Sequence, residues 1–201
     1  MELAAAITSD DLPALLRERP ELASAQDEHG VSALLLALYH RRPEARDALL
    51  AAGAPVGPLE AAALGDVARL HGADLSVRGG DGFTPLHLAA FFGGADAVAA
   101  ILATGADPDA DADNTFGVRP LHSASAVGDH ASVRALLEAG ASPNVQQQGG
   151  YTPLHTAAHN DDAELARLLL ARGGDPSATD DSGKTPLEMA SGDAVRAVLS
   201  P

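Results

Sequence analysis

Cysteine is absent from this chain, so neither a disulfide nor a thiolate metal site can form. Aromatic residues are scarce, 3% of the total, although hydrophobic residues reach 46%, much of that alanine. A core of such small side chains suits helices stacked closely. Positive charge is also short. There are 13 bases against 28 acids, a formal net charge of −15, and lysine occurs once, as Lys184. The Ala and Arg bias reads as genome composition. An acidic surface of this size repels phosphate backbones and anionic lipid, which argues against nucleic acid or a membrane as partner. It steers in a partner protein with a basic patch. No apolar run approaches a membrane span. The opening Met1-Glu2-Leu3, reaching Asp10-Asp11, lacks the basic segment and apolar core of a secretion signal. The chain is expected to be soluble and cytoplasmic.

Against these absences stands a repetition. Thr84-Pro85-Leu86-His87 returns as Thr152-Pro153-Leu154-His155, with weaker copies Arg119-Pro120-Leu121-His122 and Thr185-Pro186-Leu187-Glu188. From Pro85 onward the prolines fall 35, 33 and 33 residues apart. Each copy carries one local logic. Thr84 offers a hydroxyl to a helix start, and Pro85 takes the first helical position, where a missing N–H costs nothing. Leu86, Leu88, Ala89 and Ala90 supply an apolar face, Gly93-Gly94 turn the chain, and a second helix runs through Asp96, Val98, Ile101 and Leu102. Gly105 stands where a helix C-terminus favours a left-handed residue.

Upstream the pattern decays. Gly30-Val31-Ser32-Ala33-Leu34-Leu35 and Gly57-Pro58-Leu59-Glu60-Ala61-Ala62 are imperfect copies, and Leu3–Ile7 with Leu12–Arg17, capped by Asp10, form a terminal helical unit. Ala33 to Pro58 is 25 residues and Pro58 to Pro85 is 27. The first shortfall removes a hairpin between Gly53 and Pro58, and the second shortens the helix around Val67–Leu70. A notch in the row of hairpins is expected there.

With these motifs and their step near 33 residues, the chain resembles the ankyrin repeat family over essentially its whole length. The resemblance implies an all-α solenoid of helix-turn-helix units joined by hairpins, about seven units including caps. The expected division is a single domain over 1–201, with irregular units in 1–78, regular repeats in 79–179 and a capping repeat in 180–201. Departures are Leu35 and Glu60 at the histidine position and Asp161 at the inter-helix glycine. The resemblance also implies a role: binding another protein through the concave face and hairpin tips, without catalysis. Terminal caps imply a monomer.

The six aromatic residues all fall on expected surface positions. Phe83 and Tyr151 precede the Thr-Pro pair, Phe116 sits in a hairpin, and Tyr39, Phe91 and Phe92 end first helices. Exposed aromatics are enriched at interface hot spots. Phe91 and Phe92 with Phe83 and Phe116 are expected to form a patch that Val118, His159, Asn160 and the Gln146–Gln148 hairpin extend. Packing between neighbouring hairpins is the plainer alternative. Two other roles stay open: a regulator or immunity-type protein occluding a partner enzyme, and a module for a metal or small molecule.

Catalytic and metal chemistry find little support. Gly183-Lys184-Thr185 lacks the earlier glycine of a phosphate loop, since Ala178 stands there. His155 and His159 lie four apart without a third ligand. Asp107, Asp109, Asp111 and Asp113 alternate as in a calcium loop, but Asn114 and Pro120 occupy the required glycine and glutamate positions. A solvated acidic hairpin attracting a basic partner is the expectation. His122, Ser123, Ser125 and Asp129 lack a nucleophile elbow. No cofactor, no metal and no enzymatic activity are expected.

Overall fold

The computed structural model describes residues 3–200. Met1, Glu2 and Pro201, assigned by the sequence to the same domain, lie outside the described residues. Fourteen α-helices follow in seven antiparallel pairs. They are α1 (Leu3–Thr8) and α2 (Leu12–Glu18), α3 (Ala33–Tyr39) and α4 (Pro43–Ala51), α5 (Pro58–Leu64) and α6 (Val67–Leu70), and α7 (Pro85–Leu88) and α8 (Ala95–Leu102). Then come α9 (Pro120–Val127) and α10 (His130–Glu138), α11 (Pro153–His159) and α12 (Ala163–Ala171), and α13 (Pro186–Met189) and α14 (Asp193–Leu199). A 3-10 turn covers Pro20–Ser24. The first helices stack α1, α3, α5, α7, α9, α11, α13, each on the next.

The units build themselves from local sequence. Pro at the first turn starts α5, α7, α9, α11 and α13. Toward the end of each internal first helix a buried alanine carbonyl accepts from the N–H five residues ahead: Ala37 from Arg42, Ala61 from Asp66, Ala89 from Gly94, Ala124 from Asp129 and Ala157 from Asp162. That closure satisfies carbonyls the helix leaves over. Asp66, Asp129 and Asp162 cap the second helices through their carboxylates. The expected cap Asp10 is displaced by Asp11, whose side chain does not cap; Asp10 instead pairs with Arg42 at 2.6 Å. Leu86, Leu121, Leu154, Ile101, Leu136 and Leu169 are almost fully buried between the layers.

Histidine is the mortar between units. His87, His122 and His155 are buried, and each Nε2–H donates to a carbonyl of the next hairpin segment: Val118 at 3.0 Å, Val145 at 3.1 Å and Lys184 at 3.1 Å. Each Nδ1 accepts from the backbone N–H at its own helix start. Both ring nitrogens are thereby used in the neutral form. Burial accordingly holds the His87 and His122 pKa at about 4, below the ordinary 6.5. Glu60, which replaces the histidine, reaches the other way, accepting from Gly57 N–H at 3.0 Å and from the Ser32 hydroxyl of the preceding unit at 2.7 Å.

The expected notch is closed. Tight hairpins form at 27–31, 79–83, 112–118, 147–151 and 180–184, each tied by a bond between its ends, and the α5 unit has none. The backbone of Gly80 instead lies directly against the His29 carbonyl, so close that a Cβ on Gly80 would overlap it. The two flanking hairpins meet across the shortened unit. The break falls in the other layer. Second helices pack α2 on α4 and α6 on α8, α10, α12 and α14 in turn, whereas α4 and the four-residue α6 meet at most marginally.

Candidate functional site

The shortening also rearranges the ends of the first helices. From helix start to the cap of the second helix is ten residues in four units, for example Ser32 to Arg42 and Thr152 to Asp162, but nine from Gly57 to Asp66. One surface residue is therefore missing at the end of α5. In the next unit the chain runs on past α7 in a π-turn, Ala89–Gly93, which carries Phe91 and Phe92. Gly93 fits there because its Cα faces the Ala62 carbonyl, which any Cβ would overlap. Phe92 then reaches across the shortened unit to Tyr39, with ring centroids 5.6 Å apart, and meets Phe91 edge-on at 4.6 Å.

Tyr39, Phe83, His87, Leu88, Phe91, Phe92 and Ser123 line one pocket of about 180 Å³, almost wholly apolar. Its wall is fixed from behind. Phe83 stacks on the His87 ring at 5.5 Å, and the Tyr39 hydroxyl donates to Asp81. Burial and the neighbouring Asp81 carboxylate raise the Tyr39 pKa far above its ordinary value.

Four of the six aromatics thus share one place, three of them as expected. The expected surface positions are only partly open: Tyr39, Phe83 and Phe92 are half-buried and packed against the core. Phe116 does not join the patch. It is 55% exposed at a hairpin tip, where its carbonyl accepts from Gln148 N–H at 2.7 Å. Tyr151 stacks on His155 at 5.6 Å within its own unit. Val118 supplies the carbonyl for His87, and His159 and Asn160 lie exposed at the end of α11, away from the pocket lining.

A second hollow borders the same ridge. Phe91 and Phe92 form one wall of a groove of about 350 Å³ that Val127, Pro43, Arg41, Arg42 and Arg46 complete. The sequence reading missed it because arginine was taken as composition. The visible signal was three arginines within residues 41–46 of a chain this acidic.

The acidic hairpin is less free than expected. Both Asp109 carboxylate oxygens accept from Ser142 N–H at 3.1 Å, Asp107 accepts from Asp109 N–H at 2.9 Å, and Asp111 pairs with Arg119 at 3.2 Å. Among the described residues no group of three or more His, Cys, Asp or Glu is placed to hold a metal ion. No described helix is long and apolar enough to cross a membrane.

The family model for ankyrin repeats (3 copies) matches residues 59–147, and that for ankyrin repeats (many copies) matches 136–190. Over 110 residues the chain is 36% identical to the B-cell lymphoma 3 protein homolog of Mus musculus. That alignment takes in 55% of this chain and 21% of the mouse protein, so the chain answers to about a fifth of that relative. The two family models together take in the three units whose histidines lock onto the following hairpin, and the chain belongs to the ankyrin repeat family.

Proposed function

We propose that the protein is a non-catalytic binding module that docks a partner protein on the face carrying Tyr39, Phe83, Phe91 and Phe92. Ankyrin repeats are protein–protein interaction modules. The observation that carries the reading is the shared apolar pocket. In a chain with 3% aromatics, four rings from two units line one cavity, held by Asp81 and His87 behind them. A pocket fixed before binding saves the ordering entropy that a flexible surface loses. Anchors set in such pockets supply most of the energy of ordinary interfaces. Phe116, Tyr151, His159, Asn160 and Val118 lie outside this pocket and rank behind it as contacts. The chain acts as a monomer, and its negative field speeds encounter with a basic partner surface.

The test is a pull-down from the native host's lysate with wild type and a Phe91→Ser/Phe92→Ser variant, both checked for melting temperature. A protein held by wild type and lost by the folded variant supports the reading. Equal retention by both refutes the aromatic site.

A further inference from the structure

The groove beside the aromatic pocket has a chemistry opposite to that of the surface as a whole. Thirteen bases serve the entire chain, and three of them, Arg41, Arg42 and Arg46, line this one hollow. No acidic residue lines it. The facing wall is apolar: Phe91, Phe92 and Val127, the last 41% exposed.

The arginines are incompletely neutralised. Arg42 pairs with Asp10 at 2.6 Å through Nη2, while its Nε is buried without a hydrogen-bond partner. Arg46 pairs with its exposed neighbour Asp47 at 2.8 Å, a kind of contact that competes weakly with water. The exposed Arg41 guanidinium forms no ion pair among the described residues.

Arg41 also sits where its backbone is costly. It has φ 52°, one of two non-glycine residues in the left-handed region among the described residues; the other, Asp161, takes the same turn position in its own unit, which Gly65 and Gly128 fill elsewhere. The backbone cost there makes Arg41 a candidate for a role of its side chain.

We propose that this groove takes a carboxylate-bearing segment of the partner, with an Asp or Glu side chain against Arg41 and Arg46 and an adjacent bulky apolar side chain against Phe91, Phe92 and Val127. The argument is charge complementarity. Guanidinium binds carboxylate in a two-point, charge-assisted geometry, and the apolar wall lowers the local dielectric in which it does so. The general negative field excludes uniformly acidic partners, so the groove selects an acid placed beside an apolar anchor. This deepens the proposed function and rests on it, because Phe91 and Phe92 are shared between the pocket and the groove.

The test uses the full chain as bait for a displayed library of random short peptides, then fluorescence polarisation with an enriched peptide and its acid-to-amide analogue. Enriched peptides are expected to carry Asp or Glu next to a large apolar residue. The amide analogue is expected to bind about tenfold more weakly. Arg41→Gly, which suits the left-handed turn and keeps the melting temperature, and Arg46→Gln are expected to weaken the acidic peptide similarly and leave the amide analogue unaffected. Equal affinity of acid and amide forms, or indifference to both arginine variants, overturns the proposal. If peptides without an acid are enriched and Phe91→Ser/Phe92→Ser abolishes their binding, the aromatic face stands and the groove assignment falls. If no peptide is enriched, or binding ignores Phe91, Phe92 and the arginines alike, both readings fall.

Discussion

Mild acid should unlock the array through two of its histidines. His87 and His122 are 1% and 3% exposed and lie between units with both ring nitrogens bonded in the neutral form. Their pKa values fall from 6.5 to about 4, first because burial disfavours the imidazolium. The unfolded chain therefore takes up protons below pH 6.5 that the folded chain refuses until pH 4. Stability is full above pH 6.5 and is lost as the pH falls toward 4. Between pH 8 and pH 5 each histidine should cost about 2 kcal/mol, and the two together about 4 kcal/mol. That is a large share of the total for a domain of ordinary stability. Carboxylates do not confuse this window, because Asp66, Asp162 and Asp180 are held below their ordinary values and lose their contribution at lower pH. Urea unfolding followed by circular dichroism at pH 8, 6 and 5 measures the loss. A His87→Gln/His122→Gln variant keeps an amide donor for each carbonyl and cannot titrate. It should be less stable than wild type at pH 8 and nearly flat down to pH 5. A wild-type loss under about 1 kcal/mol, or an equal slope in the variant, refutes the histidine account.

Three further outcomes follow from the shortened unit. Gly93→Ala drives a Cβ into the Ala62 carbonyl and should lower stability by about 1–3 kcal/mol in urea, whereas Gly53→Ala, with open space at its Cβ, should cost less. Tyr39→Phe removes the hydroxyl donated to Asp81 and should cost about 1 kcal/mol while keeping the ring against Phe92, as thermal unfolding would show. In hydrogen exchange, the amides of Val67–Leu70 should open faster than those of Val133–Leu137, because α6 is a single turn with little contact to α4.

The regular half of this fold was legible because each unit is specified by neighbours in sequence. Proline at the helix start, alanine at the closing turn and histidine reaching the next hairpin all recur at a fixed step, so reading one unit reads the rest. Asp10 was misplaced by one residue because Ser9, Asp10 and Asp11 offer the same cap chemistry and tertiary pairing with Arg42 decides between them. Phe116 was wrongly joined to Phe91, since hairpin tips and helix ends alternate along the stack and sequence spacing does not say which face a loop residue takes. The arginine groove escaped notice because its two walls come from residues 41–46 and 91–127, and only folding brings them together.

The sequence alone determined the periodic framework, its helix starts, its turn glycines and its histidine links, because these depend on contacts within a unit or with the next one. Tertiary structure decided what happens where the period fails. With residues deleted around α5, the hairpins at 27–31 and 79–83 close onto each other and Phe92 meets Tyr39 across the gap. Those contacts join residues that the repeat rule would hold two units apart. They exist because close packing draws the remaining chain together over a missing element.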